Sequence, residues 1–167
     1  MAVVVGGATK TIQAARRQGL YATPIYTGPE GGSQTYKRGA PLIYTSGYLV
    51  VAASAPIDTG DSIVGFANED GHNGTAGVYT ATYVVAGGPH MTFIGLLIDK
   101  VAETHTLVQT NLGLAYAIDV DSSGYWYLDE NNTTNPVARV VKLLDPVGTV
   151  NGRVEFVYDL GGTIYTA

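Results

Sequence analysis

Residues 78–85 read Val-Tyr-Thr-Ala-Thr-Tyr-Val-Val, and residues 92–98 read Thr-Phe-Ile-Gly-Leu-Leu-Ile. Both stretches consist largely of β-branched and aromatic residues, which favour the pleated surface of a β-strand. Between them lies Gly-Gly-Pro at 87–89, a combination typical of a turn. These residues therefore predict two short strands joined by a tight connection, which is the geometry of an antiparallel sheet.

The same alternation of β-rich stretches and turn residues continues in both directions from this pair. The other predicted strands cover 42–45, 48–52, 62–67, 114–118, 125–128, 137–144, 153–158 and 163–165. The chain contains 22 glycines and 12 tyrosines but few charged helix formers. Because no helical segments separate the strands, the crossovers that a parallel sheet requires are missing. We therefore predict an all-β protein, a mostly antiparallel β-barrel or sandwich.

The composition excludes several classes of protein. A chain of 167 residues with 46% apolar and 14% charged residues is long enough to form one domain with a real core. The absence of cysteine excludes disulfides, thiolate metal sites and cysteine nucleophiles. The longest apolar stretch, at 91–98, is far shorter than the roughly 20 residues of a membrane helix, and the first residues do not resemble a secretory signal. We therefore expect a soluble protein that is not exported and has no membrane partner.

The charge is distributed unevenly along the chain. Residues 1–38 carry five cations and one carboxylate, a net charge of +4, whereas residues 39–167 have a net charge of −9. Glycine and proline interrupt the basic segment throughout, so we predict an extended N-terminal arm over 1–38 and a β-rich domain over 39–167. Such an arm would bind a negatively charged surface, and an ordinary solvated tail is the alternative. The candidate docking residues are Lys10, Arg16, Arg17, Lys37 and Arg38.

Two Ser-Gly turns indicate an internal repeat. Residues 45–49 read Thr-Ser-Gly-Tyr-Leu, and residues 122–126 read Ser-Ser-Gly-Tyr-Trp. Sixteen residues after each turn glycine comes a β-branched pair, Ile63-Val64 in the first case and Val140-Val141 in the second. The domain could consist of two halves that share a hairpin and a following strand. Chance recurrence of Ser-Gly turns in a glycine-rich β-protein explains the same pattern.

A longer pattern of turns and strands extends over both halves. It begins with Tyr-Lys-Arg-Gly-Ala-Pro-Leu at 36–42 and continues through 46–50, 62–67, 113–121, 123–129 and 143–156. This pattern resembles the decoration (capsid cement) proteins of tailed bacteriophages, and the resemblance spans roughly residues 36–160. It implies a β-rich, often trimeric subunit that sits on the outside of the expanded head and braces the shell.

The resemblance also sets expectations about partners and location. The partner would be the major capsid protein, and the protein itself would be a homotrimer. It would be made in the host cytoplasm and located on the outer capsid surface of the virion. A net charge of −5 disfavours nucleic acid as a partner, because an acidic body repels phosphate.

One stretch matches the spacing of a calcium-binding loop. Residues 119–130 place oxygen-bearing side chains at loop positions 1, 3, 5 and 12 and a glycine at position 6. The ligands would be Asp119, Asp121, Ser123 and Glu130. An EF-hand needs a helix on each side of this loop, whereas the flanks here are predicted strands. A β-hairpin that turns at 122–124 explains the same residues, so we predict no bound metal and no cofactor.

The sequence contains no catalytic constellation. His72, His90 and His105 are far apart, and a Gly-x-Ser-x-Gly nucleophile motif is missing. We therefore expect a structural protein rather than an enzyme. The alternative is a recognition module, such as a carbohydrate-binding β-sandwich or a head-fibre base, that uses exposed tyrosines and Trp126 as a stacking surface.

Overall fold

The computed structural model describes residues 11–15, 25–53, 56–57, 62–86, 91–134 and 136–158. The strands, numbered in chain order, are β1 (Gln13–Ala14), β2 (Ile25–Pro29), β3 (Pro41–Thr45), β4 (Tyr48–Val51), β5 (Gly65–Ala67), β6 (Thr80–Val85), β7 (Phe93–Ile98), β8 (Ala115–Val120), β9 (Trp126–Asp129), β10 (Ala138–Leu143) and β11 (Arg153–Tyr158). The helical structure in these residues is one 3-10 turn at Gln109–Asn111. The predicted all-β fold is therefore confirmed, and no helix in the described ranges is long and apolar enough to cross a membrane.

The last five strands form a closed barrel. β7 pairs with β11, β11 with β10, β10 with β8, and β8 with β9, all antiparallel. A parallel pairing of Leu97 with Leu128 and of Ile98 with Asp129 joins β7 to β9 and completes the ring. Closure removes the unpaired strand edges that an open sheet would expose. We call this ring of β7–β11 the C-terminal barrel.

The first half of the chain forms an antiparallel sheet in the order β2-β6-β5-β3-β4, which we call the N-terminal sheet. Its two outer strands approach each other at one point. There a parallel bridge joins Glu30 to Leu49, and the amide of Gly31 donates a hydrogen bond of 2.8 Å to the carbonyl of Leu49. The sheet therefore curls until its edges meet.

The two halves share one topology. Adding five to each strand number converts the order β2-β6-β5-β3-β4 into β7-β11-β10-β8-β9. The parallel contact is shared as well, because the bridge between Glu30 and Leu49 occupies the place of the pairing between Leu97 and Leu128. The chain thus contains the same arrangement of five strands twice.

A glycine marks the same position in both halves. A Cβ atom added to Gly28 of β2 would lie 2.8 Å from Leu49 Cδ1, and one added to Gly95 of β7 would lie 2.8 Å from Leu128 Cδ1. Each leucine fills the space that its glycine leaves open, and a side chain at either position would collide with it. This matched contact aligns β2 with β7 and β4 with β9.

The two Ser-Gly turns noted in the sequence join equivalent strands. Ser46-Gly47 connects β3 to β4, and Ser123-Gly124 lies in the turn between β8 and β9. Both turn glycines have positive φ angles, of 85° and 83°, which glycine adopts without steric cost. The β-branched pairs are not equivalent, because Val140 pairs with β11 at the position where Ala67 pairs with β6.

The described residues within 1–38 are part of the folded structure, whereas a separate arm was the expectation. β1 pairs with β7, and β2 pairs along its whole length with β6. Ile12 and Tyr36 are buried in the main core. The basic composition misled the prediction because short strands at a sheet edge need only backbone hydrogen bonds and a few buried side chains. Residue 38 is therefore not a boundary of the fold, and residues 1–10 and 16–24 lie outside the described residues.

A continuous core joins the halves. The ring of Phe66, from β5, lies 4.6 Å from the ring of Phe93 and 6.2 Å from that of Phe156, measured between centroids. Close by, the amide of Ile57 donates a hydrogen bond of 2.7 Å to the carbonyl of Ile118 in β8. All five residues are buried. The N-terminal half therefore covers part of the C-terminal barrel.

Candidate interaction surface

The structure describes two of the five cations expected to dock, Lys37 and Arg38. Lys37 Nζ lies 3.0 Å from Asp70 Oδ2, and this hydrogen bond raises the pKa of Lys37. The backbone amide of Arg38 donates to the other oxygen of Asp70 over 2.7 Å. The charge of Lys37 is therefore balanced within the chain. Outside the described residues lie Lys10, Arg16 and Arg17.

Arg38 borders a cavity of about 250 Å³ between β1, β2, β5 and β6. Apolar side chains, including Ile12 and Phe66, form one part of its wall, and Gln13 and Asn68 add polar groups. A guanidinium beside an apolar wall can accept a small group that carries negative charge. The structure thus places Arg38, but not Lys37, beside a concave surface.

A buried carboxylate organises the loop that follows β5. Glu30 Oε1 accepts a hydrogen bond of 2.8 Å from the backbone amide of His72, and Glu30 Oε2 lies 2.8 Å from His72 Nδ1. Tyr36 Oη donates to Oε2 over 3.3 Å. The imidazole stacks on the ring of Tyr79, with centroids 4.7 Å apart and planes inclined by 6°. The bond to Glu30 raises the pKa of His72, so protonation strengthens the contact that holds this loop.

The stretch that matches a calcium loop contains a β-hairpin. Asp121 Oδ1 accepts hydrogen bonds of 2.8 Å from the amides of Ser123 and Tyr125. These bonds, together with the positive φ of Gly124, close the turn between β8 and β9. The flanking residues form strands rather than helices, as the hairpin interpretation requires.

The other residues of the calcium pattern have partners of their own. The buried carboxylate of Asp119 forms an ion pair with Lys100 Nζ, and Glu130 Oε2 lies 3.7 Å from His105 Nδ1. Beside Asp119, the buried hydroxyl of Tyr127 has no hydrogen-bond partner among the described residues, and burial followed by the nearby carboxylates raises its pKa. Among the residues that the structure describes, no three acidic or histidine side chains are grouped as metal ligands.

Three tyrosines meet at the surface of the N-terminal sheet. Tyr26 of β2 pairs across the sheet with Tyr83 of β6, and their ring centroids lie 6.1 Å apart. Tyr83 is hydrogen-bonded to Tyr44 of β3, and burial followed by this bond raises the pKa of Tyr83. Tyr26 and Tyr44 are 53% and 46% exposed, whereas Tyr83 is only 7% exposed. We call these three residues the tyrosine cluster.

The C-terminal barrel carries a buried counterpart of the tyrosine pair. With Gly28 aligned to Gly95, the cross-strand pair Tyr26 and Tyr83 corresponds to Phe93 and Phe156, which are also paired across two strands. Their ring centroids lie 5.8 Å apart, and both side chains are 0% exposed. Tyr26 is therefore exposed where its counterpart Phe93 is covered, whereas Tyr83 and Phe156 are both buried.

The third tyrosine has a counterpart as well. Tyr44 pairs with Leu49 in the β3–β4 hairpin, and Ile118 pairs with Leu128 in the β8–β9 hairpin. Because the two leucines are equivalent, Tyr44 corresponds to Ile118, which is fully buried. We call Phe93, Ile118 and Phe156 the phenylalanine cluster.

Exposed tyrosine rings present an apolar face together with a hydroxyl, a combination suited to a protein surface or a sugar ring. The expectation that Trp126 contributes to such a surface is wrong, because its side chain is only 5% exposed and lies in the core. The alternating pattern at 78–85 places Tyr83 on a strand, but no local signal brings Tyr26 or Tyr44 to it. Comparisons of the chain with protein-family models, with curated proteins and with solved structures found no match.

Proposed function

We propose that this protein is a structural virion protein that binds the outer surface of an expanded phage capsid and stabilises it. One observation carries the proposal: Tyr26 and Tyr44 of the tyrosine cluster are exposed, whereas their counterparts Phe93 and Ile118 in the same chain are fully buried. Neighbouring exposed aromatic rings favour attachment to another protein. The resemblance of residues 36–160 to capsid decoration proteins supports a capsid as that protein.

The residues that carry the resemblance mainly form the framework. Residues 46–50 and 123–129 include the two equivalent hairpin turns. Within 143–156, Arg153 Nη2 lies 2.6 Å from Asp145 Oδ1 and Arg153 Nε lies 3.1 Å from Asp145 Oδ2, a two-point ion pair across the loop between β10 and β11. The resemblance thus supports a shared arrangement of turns and strands, and the exposed surface has to supply the binding contacts.

Attachment in many copies would stabilise the shell by mass action. A protein that binds only the expanded lattice stabilises it by an amount that grows with its concentration relative to the dissociation constant, repeated over many sites. Individually weak contacts at each site then suffice. We propose trimers at three-fold positions of the lattice, with the major capsid protein as partner.

Sedimentation with empty heads tests the proposal. Purified protein is mixed at increasing concentration with expanded and with unexpanded heads of the phage that encodes the chain, and the bound fraction is measured. We expect saturable binding to expanded heads and little binding to unexpanded ones. Equal binding to both forms would contradict specificity for the expanded lattice, and failure to bind either form would contradict the proposed function.

A carbohydrate-recognition module is the second candidate, because the exposed rings of Tyr26 and Tyr44 could stack on sugars. Retention of the protein on a glycan array tests this candidate. Binding to a defined glycan that Tyr26→Ser abolishes, without binding to heads, would favour recognition of carbohydrate over attachment to a capsid.

A further inference from the structure

Two contacts from the N-terminal half lie against the phenylalanine cluster. The first is the ring of Phe66, which packs on Phe93 with an interplanar angle of 58° and meets the edge of Phe156 at 89°. The second is the short segment at Ile57, whose amide donates to the carbonyl of Ile118. A planar side chain and a backbone segment of the N-terminal half thus both contact the cluster.

The tyrosine cluster has the same receiving geometry. The rings of Tyr26 and Tyr83 are 6.1 Å apart and inclined by 30°, and those of Phe93 and Phe156 are 5.8 Å apart and inclined by 35°. Both pairs sit at the same register positions of equivalent strands. Tyr26 is 53% exposed where its counterpart Phe93 packs on Phe66, so a third ring can pack on Tyr26 beside the buried ring of Tyr83.

The chemical difference between the clusters indicates where the third ring comes from. Phe93 and Phe156 have no polar atoms, which suits a permanent cover from the same chain. The hydroxyls of the tyrosine cluster remain compatible with water when the surface is free, and they offer hydrogen bonds when it is occupied. These properties fit a surface that another molecule covers and leaves.

We propose that the tyrosine cluster receives an aromatic side chain of the capsid protein, carried on an extended segment of that partner. The aromatic ring takes the place that Phe66 has over the phenylalanine cluster. The extended segment lies along β3 beside Tyr44, the counterpart of the contact between Ile57 and Ile118. This inference rests on the proposed function, since it names the partner group that the same surface binds.

Three tyrosine variants and one matched control test the inference. Tyr26→Ser and Tyr44→Ser remove rings of the cluster, while Tyr26→Phe keeps the ring. Tyr48→Ser is the control, because Tyr48 is also exposed and neighbours Leu49 in β4, so that its side chain points to the opposite face. Binding to expanded heads is measured by sedimentation, and thermal unfolding of each variant shows that it is folded.

We expect Tyr26→Ser and Tyr44→Ser to weaken binding about tenfold or more, as truncation of an aromatic anchor at an interface does. Tyr26→Phe should bind within about threefold of the unchanged protein, and Tyr48→Ser should bind normally. If Tyr26→Ser and Tyr44→Ser bind like the unchanged protein, the inference is overturned while the proposed function stands. If the unchanged protein binds no heads, the proposed function itself fails.

Two further outcomes would identify a different occupant. Sedimentation velocity of the free protein could show oligomers that Tyr26→Ser dissociates, and this would assign the surface to a second copy of the chain. A glycan that competes with heads for the unchanged protein but not for Tyr26→Ser would assign it to carbohydrate. Either result would overturn an aromatic side chain of the capsid protein as the occupant.

Discussion

The tyrosine cluster of the N-terminal sheet and the phenylalanine cluster of the C-terminal barrel lie on equivalent strands, in the same register and with similar ring spacing. Two of the three tyrosines are nevertheless exposed, whereas the phenylalanine cluster is fully buried. The difference arises because the two halves pack asymmetrically, with a side chain of the N-terminal half lying on the aromatic pair of the C-terminal barrel. Phe66 of the N-terminal half packs on Phe93 and Phe156, whereas Tyr26, the counterpart of Phe93, is 53% exposed beside the buried ring of Tyr83. The strand order and register are therefore properties of the repeated fold, whereas the exposure of each aromatic ring depends on what packs against it.

The two halves can also be compared at the parallel contact that joins their outer strands. In the barrel this contact is made by Leu97 with Leu128 and by Ile98 with Asp129, whose buried carboxylate accepts hydrogen bonds from the backbone amides of Lys100 and Asn131. In the sheet it is made by Glu30 and Leu49, and the buried carboxylate needs His72 and Tyr36 as partners. Both halves thus close beside a buried carboxylate, which backbone amides bind in the barrel and which the side chains of His72 and Tyr36 also bind in the sheet.

Deletion of residues 1–38 should have the largest effect. It removes β2 from the N-terminal sheet together with Ile12 and Tyr36 from the core, so we expect the N-terminal half to lose its cooperative unfolding transition. Circular dichroism during thermal unfolding measures this. A shorter deletion of residues 1–10 removes no described strand and serves as the control. A truncated protein with an unchanged unfolding midpoint would restore the separate arm.

Truncating the equivalent rings should separate the two clusters. Phe93→Ala leaves a cavity in a fully buried site and should lower the free energy of unfolding by about 3–5 kcal/mol. Tyr26→Ala removes a half-exposed ring and should cost less than about 1 kcal/mol. Urea unfolding measures both. Equal losses would show that the tyrosine cluster is as important for folding as its counterpart.

Adding a methyl group at the two matched glycines is a finer comparison. A Cβ at Gly95 would meet Leu128 at 2.8 Å and Phe156 at 3.2 Å, so Gly95→Ala should cost about 1–3 kcal/mol through overpacking. A Cβ at Gly28 meets Leu49 at 2.8 Å and the hydroxyl of Tyr44 at 2.6 Å, and Tyr44, as a residue 46% exposed, has more room to shift than the fully buried Phe156. Urea unfolding should therefore show a smaller loss for Gly28→Ala. The reverse order would mean that Tyr44 is held more rigidly than Phe156.

The smallest effect concerns pH and should be confined to the N-terminal half. The bond to Glu30 raises the pKa of His72 above its ordinary value of about 6.5. Its stabilisation is therefore complete below that value and is lost as the pH rises through the raised pKa. His72→Gln keeps a hydrogen-bond donor but does not titrate, so its melting temperature should fall less than that of the unchanged protein between about pH 5.5 and pH 8.5. An unchanged pH dependence in the variant would exclude His72 as its source.

Most of the strands follow from sequence alone because short β-rich runs between turn residues leave few other local conformations. The predicted strand at 153–158 coincides with β11, and the one at 92–98 differs from β7 by a single residue. The hairpin at 121–125 also follows, since its aspartate and glycine serve the turn locally. The predicted strand at 163–165 lies outside the described residues.

The failures share a cause, which is that the decisive contacts join residues distant in sequence. β2 was missed because its glycine and proline read as irregular structure, although backbone pairing with β6 holds it in place. Glu30 and His72 are 42 positions apart, so no local pattern reveals their pairing. Trp126 was expected at the surface because aromatic residues occur both in cores and in binding sites, and only packing distinguishes the two.

The sequence by itself determined the class of fold, since its alternation of β-formers with glycine-rich turns permits strands and little else. Only the tertiary structure decided that the chain repeats one five-stranded arrangement in the same register, because registers depend on hydrogen bonds between distant strands. It also decided which of two equivalent aromatic clusters remains exposed. Tyr26 and Phe93 occupy the same position in their respective halves, and what distinguishes their surroundings is that Phe66 packs against Phe93.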